Sequence, residues 1–189
     1  MREVIVFATY HNQLKESNTI IASMINQTAD NWRLVICSNG DESANEIDTK
    51  SHPNIEIRIE KENSGFWGCK NREKFIQEVA NENAFLINTS VEDYYAPKLI
   101  ECINMYSEHD FIFWDFSHHQ FGYETKHANS TLKVGGIDWG NFAVKTDVIA
   151  KHGIPNTESY FADGETVVNM LNNSEYKIVK FENIFMMKN

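Results

Sequence analysis

Two adjacent carboxylates at the end of an apolar run could do chemistry. In the stretch "FLINTSVEDYYAP", residues 85–97, the apolar residues stop and Glu92 and Asp93 follow together. Because adjacent carboxylates repel each other, a helix N-terminus, a metal ion or solvent must compensate for the pair. Pro97 suits an early helical position and so favours the helix start, whereas carboxylate oxygens suit Mg²⁺ or Mn²⁺. The residues alone leave these alternatives open.

A second acidic pair lies in "YFADGETVVNML", residues 160–171, where Asp163 and Glu165 precede an apolar helical face. A carboxylate in a cleft can act as a general base that takes a proton from a hydroxyl group. A carboxylate at this position can equally cap a helix. Asp163 is the first choice for a base and Glu165 is the reserve, with the helix cap as the alternative.

The elements that must position these carboxylates alternate between strand and helix. Apolar runs predict strands over residues 4–10, 32–38, 55–59, 84–88 and 110–116, with amphipathic helical patterns between them. The alternation predicts an α/β sandwich with a mainly parallel central sheet flanked by helices. The last third is polar, glycine-bearing and aromatic. This composition predicts that the last third is partly loop. A short helix is expected over 162–173 and a final strand or extended pair over 176–187.

Each predicted strand end carries a polar segment, and the four segments read "TYHN", "SNGD", "ENSG" and "SVED". Ligands of parallel α/β sheets bind beyond the carboxyl ends of the strands. We therefore expect the four segments to converge on one edge of the sheet. Glu92 and Asp93 would then face a cleft.

Composition restricts the class of protein. A chain of 189 residues is most simply one domain, residues 1–189, and no apolar stretch approaches the length of a membrane span. The formal net charge of −10 argues against general nucleic-acid binding, which needs a basic surface. The three cysteines are widely spaced, which favours free thiols in a reducing compartment. We expect a cytoplasmic protein; its oligomeric state is open.

Six segments in this order resemble family-2 glycosyltransferases of the GT-A fold: "VIVFATYHN", "WRLVICSNGDES", "ENSGFWGCKN", "LINTSVEDYYAP", "GNFAVKTDVIAKHGI" and "YFADGETVVNML". The likeness covers nearly the whole chain. It implies transfer of a sugar, hexose-like, from a nucleotide-sugar donor, with a UDP-sugar expected, to a glycan or other hydroxyl acceptor. It also implies inversion at the sugar carbon, a nucleotide-sugar-binding half over 1–116 and an acceptor-side half over 117–189.

The resemblance carries over donor-site roles residue by residue. Thr9 and Tyr10 match the strand end that borders the base, and Asn39 stands where an aspartate usually reads uracil. Lys70 stands where an arginine is usual, and Ser90 and Glu92 fall on the metal-binding DxD motif. Asp163 falls on the catalytic base of inverting members.

Two departures from the family pattern concern the metal. Ser90 replaces the first acid of the DxD motif, and Lys188 replaces a C-terminal histidine ligand. A divalent Mg²⁺ or Mn²⁺ ion, possible in the family, would then rest on Glu92 and Asp93 and on the diphosphate itself. Alternatively Lys188, with Lys70, stabilises the diphosphate as a point charge without a metal.

Two residues are assigned to the acceptor side. Trp139 in "GGIDWGN" is a candidate for stacking on a sugar, and Asp115 lies near the end of the predicted strand over 110–116. The loss of the acid at Ser90 and of the histidine at Lys188 also fits a different class of protein. In this alternative the chain is a non-catalytic GT-A-like module that binds a nucleotide or a glycan. Slow hydrolysis of a nucleotide sugar would distinguish the enzyme from the module.

Overall fold

Parallel strands form one side of the central sheet. The computed structural model describes residues 1–118, 127–172 and 175–188. In it, β1 (Glu3–Tyr10), β2 (Trp32–Ser38), β3 (Ile55–Arg58) and β4 (Ala84–Ser90) lie in the order β3-β2-β1-β4, all parallel. Almost every side chain of β1, β2 and β4 is buried, because both faces of the sheet are covered. The continuous apolar runs therefore predicted these strands to within two residues at each end.

The other side of the sheet mixes directions. It contains β5 (Tyr94–Tyr95), β6 (Phe111–His118), β7 (His127–Ala128), β8 (Phe142–Lys145) and β9 (Ile178–Lys188). β8 runs antiparallel to both β4 and β6, and β9 is parallel to β6 and antiparallel to β5. The described residues thus form one sheet in the order β3-β2-β1-β4-β8-β6-β9-β5, with β7 beside β6. The predicted α/β sandwich is confirmed.

Helices cover the two faces of the sheet in separate layers. α1 (Ser17–Ile25) and α3 (Leu99–Met105) pack on one face, and α2 (Cys69–Glu78), α4 (Thr146–His152) and α5 (Ala162–Asn172) pack on the other. Alternate residues of β1 serve the two layers, since side chains of a strand point to opposite faces. Val4 and Val6 join the first layer, and Ile5 and Phe7 join the second.

The predicted division of the chain into two halves can be compared with the order of the strands. The predicted division at residue 116 falls inside β6, which lies between β8 and β9, so both parts of the chain share one sheet.

The helix-start interpretation of Glu92 and Asp93 is wrong. β5 intervenes and pairs with β9, and α3 begins only at Leu99. In the described ranges, no helix is both long and apolar enough to cross a bilayer.

Candidate active site

A cavity of about 440 Å³ opens beyond the carboxyl ends of β1 and β4. Both sides of the sheet contribute to it: Thr9 and Ser90 come from the parallel strands, and Asp138, Asp163 and Lys188 come from the later segments. Parallel strand ends and a polar lining are the usual setting of a ligand site in an α/β protein. The predicted convergence of polar strand ends is therefore seen for the β1 and β4 segments.

Arg72 on α2 joins the ends of β1 and β4 beneath this cavity. Its guanidinium donates to Thr9 Oγ1 at 2.9 Å and twice to the carbonyl of Thr89, at 2.9 and 3.1 Å. The group is buried, and its carbon lies 5.7 Å from the centre of the Trp139 ring. Burial lowers the pKa of Arg72 from its usual value, which still leaves it charged. A fixed positive charge therefore lies at the base of the cavity.

Asp93 is a buried carboxyl group with one oxygen in use. Its Oδ2 accepts from Thr89 Oγ1 at 2.7 Å and from the Ser90 amide at 3.0 Å, whereas Oδ1 has no hydrogen-bond partner within the structure. Burial raises the pKa of Asp93 to about 7, with the nearby ammonium of Lys188 acting in the opposite direction. An unpartnered buried oxygen at a cavity wall is costly and marks a place where a ligand donor could bind.

Asp138 and Lys188 form an ion pair in the same wall. Asp138 also caps a short 3₁₀ helix, accepting from the Gly140 amide at 3.1 Å, and Asn141 closes the capping box. Burial would raise the pKa of Asp138, but Lys188 outweighs it and the pKa is lowered. Burial lowers the pKa of Lys188, but Asp138 and Asp93 outweigh it and the pKa is raised. Both groups are therefore charged at neutral pH.

Asp163 is the second residue of α5, inside the helix and beyond the cap position. Burial and the charge of Asp138 raise the pKa of Asp163 to about 6, although the amide of Gly164 donates to it at 2.7 Å. Gly164 allows this helix end to approach the loop before Asp138, since a Cβ there would lie 2.7 Å from Val134 Cα. The fold thus brings a carboxyl group that titrates near neutrality to the cavity wall.

The family's divalent metal can be tested against these side chains. Among the described residues, no three histidine, cysteine, aspartate or glutamate side chains are grouped so as to hold a metal ion. Glu92 accepts from Gln13 Nε2 at 2.7 Å, and the ammonium of Lys188 faces Asp138, Asp93 and Asp163. These residues do not fit a resident Mg²⁺ or Mn²⁺ ion, because a positive charge of the chain itself already compensates the carboxylates.

Seven of the predicted site residues line the cavity: Thr9, Ser90, Glu92, Asp93, Trp139, Asp163 and Lys188. Trp139 is only 8% exposed and packs beneath Arg72, so little of its ring is available for stacking. The exposed aromatic side chains at the cavity belong to other residues, described below.

Two of the predicted donor residues lie behind the cavity wall. Tyr10 is fully buried, with its hydroxyl 2.7 Å from Ser43 Oγ. Asn39 Oδ1 accepts from the Ser64 amide and hydroxyl at 2.7 and 2.6 Å, and its Nδ2 donates to Asn63 Oδ1 at 2.9 Å. Asn39 therefore organises the loop after β3.

Three further predicted residues are engaged elsewhere. Lys70 is exposed and pairs with Glu158 at 3.4 Å. Asp115 accepts from the Ser130 amide at 2.7 Å and pairs with Lys180 at 2.8 Å. Glu165 accepts from Ser159 Oγ at 2.8 Å. The structure does not bring these three side chains to the cavity lining.

Sequence reasoning missed Arg72 and Asp138. A signal for Arg72 exists, since Cys69, Arg72 and Ile76 share one buried helical face, whereas Lys70 lies on another. The signal for Asp138 is an aspartate followed three residues later by asparagine, a helix-capping pattern.

Comparison with solved structures identifies the fold. TarS 1–349 of S. aureus superposes with a TM-score of 0.75 at 13% identity, covering 99% of this chain and 60% of that chain. The same TarS segment in complex with UDP-GlcNAc gives 0.74 at 14% identity, covering 99% and 58%. Mannosyltransferase PcManGT from Pyrobaculum calidifontis, in complex with GDP-Man and Mn²⁺, gives 0.74 at 13% identity, covering 99% and 57%. At such identities the likeness establishes a shared fold.

This chain spans about 60% of the length of the TarS 1–349 structure. No protein-family model matches the sequence, and no curated protein matches it.

Proposed function

We propose that this chain is a family-2 glycosyltransferase of the GT-A type, which transfers a hexose from a nucleotide sugar to an acceptor hydroxyl with inversion. One observation carries the proposal: the cavity brings the Asp163 carboxyl group, with a pKa of about 6, together with the partly buried ammonium of Lys188. The first can take a proton and the second can stabilise an anionic leaving group. The shared fold with structures that hold UDP-GlcNAc and GDP-Man supports a nucleotide-sugar donor.

In this proposal Asp163 is the general base. The acceptor oxygen attacks the anomeric carbon while its proton moves to the Asp163 carboxylate. The bond between that carbon and the diphosphate oxygen breaks, and its electron pair leaves with the nucleoside diphosphate. A pKa near 6 keeps most of the carboxylate ionised at neutral pH and still gives it useful basicity.

The negative charge of the departing diphosphate is stabilised by Lys188. Its ammonium is held in the wall by Asp138, so it needs little rearrangement when charge develops. Arg72 adds a second positive charge deeper in the site, although its two terminal nitrogens already donate to Thr9 and Thr89. No step requires a resident metal ion, because these two cations are part of the chain.

The donor lies along the ends of β1 and β4 in this proposal. Thr9, Ser90 and Glu92 line that part of the cavity and would contact its ribose and phosphates. Tyr10 and Asn39 act indirectly, by holding the loops that border the base. Lys70, exposed beside Glu158, contacts the donor only if that ion pair opens. UDP is the first nucleotide to test.

A non-catalytic nucleotide- or glycan-binding module remains the second candidate. The observation that favours it is the ion pair itself, because Asp138 already compensates much of the charge that Lys188 could offer a leaving group. The two candidates differ in a single measurable property. A transferase slowly hydrolyses its donor when no acceptor is present, whereas a module leaves the donor intact.

Thermal-shift measurements with a panel of nucleoside diphosphates and nucleotide sugars, each with EDTA and again with Mn²⁺, test the proposal. A ligand at about a hundred times its Kd stabilises a folded protein by about 2.7 kcal/mol, which is readily detected. The stabilising nucleotide sugar is then incubated with the protein, and ¹H NMR follows the anomeric proton of the released sugar. Inverted sugar supports the transferase, intact donor supports the module, and no stabilisation by any nucleotide contradicts both nucleotide-based candidates.

A further inference from the structure

Three exposed aromatic side chains surround the mouth of the cavity. Trp67 is 66% exposed, Tyr160 is 74% exposed and Phe161 is 46% exposed, and all three line the cavity. We call these three residues the aromatic rim. Large aromatic side chains are seldom left in water together without a binding partner. None of the three was assigned a role by the sequence or by the proposed donor site.

Trp67 is held outward by an unusual backbone. Phe66 and Trp67 both have positive φ, at 35° and 56°, and glycines with positive φ flank them on both sides. Each such non-glycine residue costs on the order of 1 kcal/mol, which persists only where the surroundings enforce it. The surroundings do so here, since Gly68 lies against β1, where a Cβ would be 2.9 Å from Thr9 Cγ2. The Trp67 and His11 rings are also nearly perpendicular, with centroids 6.2 Å apart.

Tyr160 and Phe161 are placed by the start of α5. Their rings meet edge to face, with centroids 5.2 Å apart. The Phe161 amide donates to Ser159 Oγ at 3.1 Å, and that hydroxyl donates to Glu165 at 2.8 Å. Glu165, the reserve base of the sequence analysis, therefore anchors this part of the rim. Asp163 follows Phe161 by two residues and faces the same cavity.

We infer that the aromatic rim binds a neutral sugar ring of the acceptor and presents one of its hydroxyl groups to Asp163. The inference rests on the proposed function, in which Asp163 takes the acceptor proton. The C–H groups on one face of a pyranose are weakly positive and pack on the negative face of an aromatic ring. The hydroxyl groups at the ring edge remain free to reach the polar cavity wall.

The charges around the rim determine which acceptor fits. Four carboxyl groups line the cavity, from Glu92, Asp93, Asp138 and Asp163, and the chain carries a formal net charge of −10. The cations Arg72 and Lys188 already contact groups of the wall and offset only part of this negative charge. An acceptor rich in phosphate or carboxylate would meet repulsion at this mouth, whereas a neutral saccharide would not.

Tryptophan fluorescence offers a direct test, because Trp67 is the exposed member of the four tryptophans. The full chain, saturated with UDP, is titrated with methyl glycosides of glucose, mannose and N-acetylglucosamine, and with their β-linked disaccharides. We expect at least one neutral sugar to shift the emission to shorter wavelength. Tyr160→Ala should weaken that sugar about tenfold, the loss expected for one stacked ring. Saturation-transfer NMR reports the same sugar on Trp67→Ala, where we expect the signal to vanish.

Met105→Ala is the matched control, since Met105 is similarly exposed, at 67%, but lies on α3 and outside the cavity lining. It should bind the sugar as the parent does. The inference is overturned if UDP alone produces the whole emission shift, which would assign Trp67 to the nucleotide base. It is equally overturned if no neutral sugar binds, or if glucuronate binds better than glucose. Each of these outcomes leaves stabilisation of the parent by UDP intact, whereas a parent that no nucleotide stabilises contradicts the proposed function itself.

Discussion

The ammonium of Lys188 is paired with the carboxylate of Asp138 inside the cavity, and this pair joins the end of β9 to the loop before β8. The pair holds a positive charge at the position where the family resemblance predicts a metal-binding histidine. It also ties together two segments that are distant in sequence. Substitutions at Lys188 can separate the effect of its positive charge from the effect of the link between the two segments.

Lys188→Met should weaken UDP binding about 10- to 100-fold, the loss expected when a hydrogen bond to a charged group is removed. Lys188→Arg, which keeps the charge, is the matched control and should bind UDP nearly as the parent does. Calorimetric titration of the parent should give the same affinity in EDTA as in Mn²⁺. Lys188→His should instead make the affinity depend on Mn²⁺, since an imidazole beside Asp138 and Asp93 supplies a metal ligand. If the parent requires Mn²⁺, the metal role predicted for Glu92 and Asp93 is supported.

Asp163→Asn should reduce transfer and donor hydrolysis about 10²-fold or more, as expected for a positioned general base. UDP binding should stay close to that of the parent, and the melting temperature near pH 7 should not fall, because an amide avoids the cost of ionising a carboxyl group whose pKa is raised by burial. Since the pKa of Asp163 is about 6, kcat/KM of the parent should rise with pH and level off above that value, as the carboxylate becomes the dominant form. Glu165→Gln, which disturbs the contact with Ser159, should cost less rate. If Asp163→Asn kept full activity, Asp163 would not be the general base.

Asp93→Asn should stabilise the protein at alkaline pH. Burial raises the pKa of Asp93 from 3.8 to about 7, so the folded chain holds a proton that the unfolded chain has released. The stability from the neutral form is fully present below the unfolded pKa and is lost as the pH rises through 7. An amide stays neutral throughout. Urea unfolding should therefore show Asp93→Asn gaining roughly 2–3 kcal/mol on the parent between pH 5 and pH 8. A pH-independent difference would contradict the raised pKa.

Asn39→Asp should destabilise the fold by about 1–3 kcal/mol, the cost of an unsatisfied buried polar group. In this variant, a carboxylate oxygen would replace Asn39 Nδ2, which donates to Asn63 Oδ1 at 2.9 Å, and two acceptors would then face each other. Asn63→Asp is the matched control, because Asn63 uses only its oxygen as an acceptor, from Asn39 and from the Gly65 amide. Thermal melts without nucleotide compare the two. Equal melting temperatures would show that Asn39 does not organise this loop.

The sequence predicted the parallel part of the fold because burial on both faces leaves a continuous apolar run. β2 spans residues 32–38 as expected for that reason. β8 was missed because Phe142–Lys145 is only four residues long and its partners, β4 and β6, lie far away in sequence. β5 is two residues long and depends entirely on its pairing with β9.

The candidate site was predictable where a residue follows a strand and less so where its direction depends on packing. Ser90 and Glu92 reach the cavity because β4 ends there. Lys70 and Arg72 are two residues apart on α2, yet only Arg72 points inward, since that face of the helix is buried. Trp139, the predicted stacking residue, is buried beside the Arg72 guanidinium, whereas Trp67 is exposed by a backbone with positive φ, and neither feature can be read from the local sequence.

The position of β1 in the middle of the parallel strands has a consequence for refolding. Val4 pairs with Trp32 on one edge and with Phe85 on the other, so the second edge stays open until a long segment has closed. Sheets built from such distant pairings fold slowly, because the entropy of loop closure is lost before the contacts form. During that interval an apolar strand edge can pair with another chain. Recovery from denaturant will therefore be limited by aggregation and will fall as the protein concentration rises.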